Sequence, residues 1–402
     1  MQKNLLFGLK LTAIALVIFI QTLETRGAWG DFDTSFGFQG AAGEMITGYN
    51  PRSVALLPEG KRILITGYRT TSTTGDRFFL RRYLPNGQLD TAFGTNGAAI
   101  GPEANSLVTD YRGDAIAVLA NGKIAVAGWA NGNSAVWQFN SNGKVDKTFG
   151  VDGLQVLTDY PIINSGYPEI NIQNGKLLLT LRKYVGSDYR VALVRLTSIG
   201  TLDTHFGNSG ESLTGIYGAA QGSDGTVVEA DGKIVIAGVK YYDTLAKGLE
   251  RKLANGQADL TFLPSTTHSW GNSINPGLVK MVNGKYAMRG MNPAQNGTVT
   301  LALEKFSSAG IFESSLTPYN GLPITDCPEV FTNQSDGKLL TQFAGLLFRT
   351  NAELTPGSTE INYCSNISWI DGISRAALQP DDKIVAAGVF NNDLMLVRLL
   401  PN

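Results

Sequence analysis

From about residue 50 onward, short apolar runs alternate with compact turns rich in Gly, Asn and Asp. One element recurs seven times, a turn ending in Lys followed by an apolar stretch that often closes on Ala-Gly. It reads "EGKRILITG" (59–67), "NGKIAVAG" (121–128), "NGKLLLTL" (174–181), "DGKIVIAG" (231–238), "NGKYAMRG" (283–290), "DGKLLTQF" (336–343) and "DDKIVAAG" (381–388). The residues before each Lys (Gly60, Gly122, Gly175, Gly232, Gly284, Gly337 and Asp382) are spaced 45 to 62 positions apart. Asn-Gly and Asp-Gly accept the positive φ of a two-residue hairpin turn, so each copy predicts two antiparallel strands. Small Ala and Gly in the second strand predict a crowded place where sheets approach closely.

A second apolar stretch with its own turn follows in each unit, as in "FFLRRYLPNG" (78–87), "AVWQFNSNG" (135–143), "ALVRLTSIG" (192–200) and "LMLVRLLPN" (394–402). A third element follows the early copies: "LDTAFGTNG" (89–97), "VDKTFGVDG" (145–153) and "LDTHFGNSG" (202–210). It decays to "ADLTFL" in the fourth unit and fades in the fifth and sixth. About four short strands per unit, seven units and no helical periodicity predict an all-β fold, a single seven-bladed β-propeller with four-stranded blades. A β-solenoid usually has shorter repeats, and an open array would need capping units.

The last unit ends on "DLMLVRLLPN" (393–402), without its third element. Near the start stands "GDFDTSFGFQG" (30–40), which continues "RLLPN" as "GQLDTAFGTNG" continues "RYLPN". Residues 32–46 are therefore expected to supply the last strand of the blade otherwise made of 374–400, closing the ring and removing two sheet edges.

The pair "DGKIVIAG" and "LVRLTSIGTLDTHFG" resembles the bacterial delta-sixty repeat, a β-propeller module of exported proteins. The resemblance spans residues 30–402. It implies a propeller and export, and it carries no particular activity and no catalytic residues.

Composition adds limits. Hydrophobic residues make up 43% of the 402, enough for a buried core, and the 47 Gly fit many tight turns. A net charge of −1 provides no field to recruit nucleic acid or anionic lipid. The first residues differ from the rest: Lys3 and Lys10 precede the apolar "LTAIALVIFI" (11–20), short for a membrane span but suited to a secretory signal. Residues 1–27 are thus expected to be a signal peptide, with an uncleaved anchor as the alternative, and 28–402 the propeller. The destination is periplasmic, cell-surface or extracellular, with no stable membrane insertion after signal removal.

Candidate chemistry is sparse. His205 lies at a variable repeat position and His268 in a connector, neither beside a nucleophile or a metal-ligand spacing. No catalytic residue, metal ligand or cofactor is assigned. The repeated Asp33, Asp90, Asp146 and Asp203 read as turn-bonding residues, and "SDGT" and "DYRGD" lack a full calcium loop. Cys327 and Cys364 form either one disulfide between neighbouring blades or two separate thiols.

Each connector leading into a first strand carries a large ring: Tyr49, Tyr111, Tyr160, Tyr217, Trp270, Tyr319 and Trp369. Half-exposed rings with polar tips at a tunnel mouth would bind a protein or carbohydrate ligand; the alternative is packing between blades. The favoured reading is an exported, non-catalytic binding or interaction scaffold. A propeller hydrolase or lyase with a tunnel-mouth site, and a structural cell-surface component, are the alternatives.

Overall fold

The computed structural model describes residues 30–401 except 58–61, 72–74, 102–109, 162–166, 187, 218–224, 242–245, 263–276, 294–297, 324–330, 344–345, 352, 355–359, 363–372 and 392. Residues 1–29, expected to include a signal peptide, and Cys327, Cys364, His268, Trp270 and Trp369 lie outside the described residues. Every regular element among the described residues is a strand. β1 (Ala41–Thr47) belongs to a different sheet from β2, its neighbour in sequence. Blade 1 holds β2 (Tyr49–Leu56), β3 (Ile63–Thr71), β4 (Gly75–Tyr83) and β5 (Ala98–Ala99). Blade 2 holds β6 (Tyr111–Val118), β7 (Ile124–Ala130), β8 (Asn133–Phe139) and β9 (Leu154–Pro161). Blade 3 holds β10 (Glu169–Gln173), β11 (Lys176–Val185), β12 (Asp188–Leu196) and β13 (Glu211–Tyr217).

Blade 4 shows β14 (Thr226–Val228), β15 (Ile234–Tyr241) and β16 (Ala246–Lys252) among the described residues. Blade 5 holds β17 (Gly277–Lys280), β18 (Tyr286–Pro293), β19 (Thr298–Phe306) and β20 (Phe312–Pro323). Blade 6 holds β21 (Phe331–Asn333), β22 (Leu339–Phe343), β23 (Leu346–Thr350) and β24 (Glu360–Asn362). Blade 7 holds β25 (Ile373–Leu378), β26 (Ile384–Phe390) and β27 (Asp393–Leu399), and its fourth strand is β1. The register Ala41↔Val397 and Ala42↔Leu396 closes the ring as the sequence predicts. Tyr217 also pairs with Val239, so the sheets of blades 3 and 4 touch through one residue pair.

Side chains alternate along each second strand, which lets one strand feed two cores. Ile63 and Ile65 pack toward blade 7 with Val385 and Leu396, while Leu64 packs toward blade 2 with Val126 and Trp137. Leu177 and Leu179 face blade 2, and Leu178 faces Ile234 and Ile236 of blade 4. The core is therefore not one centre but a ring of interfaces between neighbouring sheets. This places the crowded alanines: Ala125 and Ala127 are fully buried against blade 3.

The "LD..FG" element is a latch between blades. Arg82 Nε donates to Asp90 at 2.8 Å, and the pattern repeats as Arg195–Asp203 (2.7 Å), Arg251–Asp259 (2.7 Å) and Arg398–Asp33 (2.8 Å). The same guanidinium groups cover the rings of Phe93, Phe206, Phe262 and Phe36. Each also reaches the turn of the following blade: Arg82 to the Ser141 carbonyl at 2.6 Å, Arg195 to Ala254 at 2.8 Å, Arg398 to Pro85 at 2.7 Å. Lys305 to Glu353 and Arg349 to Pro401 do the same for blades 5 and 6. The Gly after Phe adds a backbone bond to that turn, as in Gly94 N–H to Asn142 O at 2.8 Å. The turn's own Gly is required there, because a Cβ on Gly143 would lie 2.9 Å from the Phe93 ring and φ is +82°.

The hairpin Lys completes the latch. Lys123 bonds Asp146, Lys176 bonds Asp203 and Lys383 bonds Asp33 at 2.6, 2.6 and 3.0 Å. The other Asp oxygen accepts the backbone N–H two residues on, as Asp33 does from Ser35. The repeated aspartates thus bind their own turns, as expected. In blades 1, 3, 4 and 7 they also hold the Arg that reaches the next blade.

Candidate ligand-binding site

The innermost strands of blades 1 and 2 each contain a one-residue bulge. Pro51 pairs with Gly67 and Ser53 with Thr66, leaving Arg52 extra. In β6, Gly113 pairs with Gly128 and Ala115 with Ala127, leaving Asp114 extra. The closing Gly of the "AG" motif makes these bulges possible. A Cβ on Gly128 would lie 1.9 Å from the Arg112 carbonyl oxygen, and one on Gly67 2.0 Å from that of Asn50. Blade 3 has Leu181 at this place, and its β10–β11 register stops one residue short of it, at Thr180. The motif's Gly therefore answers to its partner strand rather than to the next sheet. A bulge re-aims side chains, and here it sets Arg52 Nε 3.6 Å from Asp114 Oδ1.

Around this pair three rings and two guanidinium groups form a ladder. Arg112 lies opposite Trp129 in the β6–β7 register and covers its ring at 4.6 Å. Its other side covers Tyr68 of blade 1, also at 4.6 Å. Trp129 stacks on Tyr167 at 6.3 Å with 28° between planes, and Arg52 covers Tyr167 at 3.9 Å. The order Tyr68, Arg112, Trp129, Tyr167, Arg52 thus crosses blades 1, 2 and 3. All five side chains are half-buried. First strands begin and second strands end at the same end of an antiparallel blade, so the ladder lies on the connector face, opposite the latches.

Carboxylates line one flank. Arg112 Nη2 is 2.6 Å from Asp76 and its Nε is 3.4 Å from Asp110. Asp76 is oriented by the Thr70 hydroxyl at 2.9 Å. Asp114 is 2% exposed. Burial works against the charge on Arg112, but Asp110 and Asp76 outweigh it and push its pKa up. Burial likewise pushes the Tyr68 phenol up, against the pull of Arg52 and Arg112, so it stays a neutral donor. Beyond Tyr167, a cleft of about 20 Å³ runs between blades 3 and 4, lined by Glu169, Thr180, Arg182 and Thr226. That volume holds a water molecule and little else.

The rings singled out from the sequence lie elsewhere. Tyr49, Tyr111 and Tyr160 are 8%, 4% and 5% exposed, not half exposed as the connector positions implied. Tyr49 opens β2, sits edge-on to Phe79 at 4.8 Å and accepts from Arg81 at 3.2 Å. Tyr111 opens β6 against Trp137, and the Tyr160 hydroxyl donates to Glu211, which also takes Lys183 at 2.7 Å. These three pack between strands and blades because each lies within a strand, pointing to a buried face. Tyr217 ends β13 and Tyr319 pairs with Leu301 inside β20. His205 is on the surface, 3.7 Å from Asp203. The site rings missed in the sequence carry a signal all the same. Tyr68 and Trp129 directly follow the motif's Gly, a place where blade 4 has Val239 and blade 7 Val389.

Among solved structures, the fold is similar to a B. thetaiotaomicron extracellular domain, with 12% identity, 92% of this chain and 40% of that chain covered, and a TM-score of 0.46. It is similar to a Dyadobacter fermentans protein of unknown function at 9% identity, covering 90% and 98%, TM-score 0.46. The polysaccharide lyase Uly1 gives 12% identity, coverage of 95% and 94%, and a TM-score of 0.44. The chain thus spans 40% of the length of the first of these. No curated protein matches the sequence. Residues 61–93, 119–149 and 379–402 match a family model described as a domain of unknown function (DUF5122) beta-propeller. These stretches carry the second and third strands of blades 1, 2 and 7, and the chain is built from a β-propeller repeat.

Proposed function

We propose that this chain is an exported, non-catalytic propeller of the delta-sixty repeat type that binds a protein or glycan ligand on its connector face. One observation carries the reading: the ladder from Tyr68 to Arg52 presents half-buried rings and paired charges where the repeat itself requires none. Rings of this kind combine an apolar face with a polar edge, which suits a ligand that is neither wholly apolar nor wholly charged. Export rests on the leader-like residues 1–27. Trp270 and Trp369 stay in the proposed set as connector residues in sequence.

Screening the purified chain against protein and glycan libraries, with Trp129→Ala and Tyr167→Ala as controls, tests the proposal. Binding lost in both variants, with an unchanged melting temperature, is the expected result. Binding that survives in both would sink the site.

The enzyme reading has one observation in its favour. Asp76, Asp110 and Asp114 gather around the two arginines of the ladder, and Glu169 lines the adjoining cleft. Three of them, however, sit against Arg52 or Arg112, an arrangement that suits holding more than proton transfer. Turnover of a bound ligand that Asp114→Asn abolishes would favour the enzyme.

A further inference from the structure

We propose that the ligand of the connector face is an uncharged saccharide. This rests on the binding reading above and names the class of ligand. Charge is the first argument. Arg52 and Arg112 face Asp76, Asp110 and Asp114, a formal sum of −1 with both cations already paired. An anionic ligand would have to displace Asp76 from its 2.6 Å contact and then sit beside carboxylates. A cationic ligand would compete for ring faces that Arg112 and Arg52 already cover. The ladder is neutralised in advance, which leaves neutral polar ligands as the best match.

Hydrogen-bonding capacity narrows the class. Carboxylate oxygens accept, and guanidinium and indole N–H groups donate, from positions fixed by stacking. The Trp129 indole N–H is buried and has no hydrogen-bond partner among the described residues. Vicinal hydroxyls, each both donor and acceptor, complement such an alternating edge. The C–H groups of a sugar ring complement the half-exposed edges of the stacked rings.

Depth decides between a sugar and a peptide. A peptide anchors through side chains buried in pockets, and hot spots sit where water is fully excluded. The adjoining cleft has room for about one water, so it offers no such pocket. A saccharide binds along an edge of ring rims and charged groups and needs none.

The test uses the intact propeller and isothermal titration with three panels: neutral oligosaccharides, uronic-acid oligosaccharides and unstructured peptides. The expected result is binding within the neutral panel, weakened roughly tenfold or more by Trp129→Ala and partly restored in Trp129→Phe. Hydrogen exchange on the unmutated chain should show protection by the bound sugar at residues 112–114 and 128–131, a readout that survives if a variant fails to fold. A uronic-acid sugar or a peptide that binds and is lost in Trp129→Ala overturns the ligand class while the site stands. A neutral sugar that binds equally to folded Trp129→Ala and Tyr167→Ala, with no protection at those residues, overturns both readings. No binding anywhere in the neutral panel overturns the saccharide proposal.

Discussion

Arg398 donates from Nε to Asp33 at 2.8 Å across 365 positions of chain, and its Nη2 reaches the Ser35 hydroxyl at 2.9 Å. In blades 1, 3 and 4 the same pair spans eight positions, as in Arg82 and Asp90. The latch that is local elsewhere is thus the bond that closes the ring, together with β1 on β27. A buried pair is dear to break because the remaining charge keeps its desolvation cost without its partner.

Asp33→Asn is therefore expected to destabilise the chain by about 2–3 kcal/mol. Deleting residues 30–47 should cost more, since β1 and Phe36 leave with the latch. Urea denaturation measures the first, and hydrogen exchange should place the loss in blade 7. A variant as stable as the parent would show that the ring does not depend on this closure.

Acid should unlock the latches in a defined window. Burial opposes the Asp33 charge, but hydrogen bonds from Ser35 and Lys383 and the charge of Arg398 outweigh it, lowering its pKa to about 2. At Asp203 burial is likewise outweighed, by hydrogen bonds from Lys176 and Arg195, again lowering the pKa to about 2. A folded-state pKa below the unfolded value gives stability that is full above about pH 4 and lost as pH falls toward 2. Each aspartate accounts for about 2 kcal/mol. Denaturation midpoints measured across this range should fall, and less steeply in an Asp33→Asn, Asp203→Asn double variant.

Lys123 and Lys176 occupy the same repeat position but should differ in importance. Asp203 holds Arg195 as well as Lys176, whereas blade 2 has Gln138 where blade 3 has Arg195. Lys123→Ala leaves Asp146 buried beside a neutral amide, with an expected loss of about 2 kcal/mol. Lys176→Ala should cost less than about 1 kcal/mol. Equal losses in thermal melts would contradict this account of the latch.

Gly128→Ala should be felt beyond blade 2. Its Cβ cannot lie 1.9 Å from the Arg112 carbonyl, so the bulge in β6 must shift and carry Arg112 and Asp114 with it. A cost of about 1–3 kcal/mol is expected, as for other overpacked sites. Ligand binding at the ladder should weaken too. Gly132→Ala is the control, with nothing within 4 Å of its Cβ and only its φ of +75° to resist the change. Matching losses in the two variants would remove the role of the bulge.

Much of this protein is legible before any coordinate is known. Seven Lys-ended turns set seven blades, because a positive-φ residue in a short turn between apolar runs can do little but make a hairpin. The match between "GDFDTSFG" and "GQLDTAFG" sets the closure, because a repeat carries its partner's address with it. What the chain alone does not decide is where a side chain points once a bulge intervenes. One extra residue at Arg52 or Asp114 breaks the period-two alternation, and so Tyr49 and Tyr111 turn inward near the place where Arg52 and Arg112 meet rings. The ladder also draws Tyr68, Trp129 and Tyr167 from three blades. Tyr68 and Trp129 share a repeat position, but Tyr167 and the bulged Arg52 carry no such mark, so only the closed ring, which brings distant strands to one mouth, makes them a site.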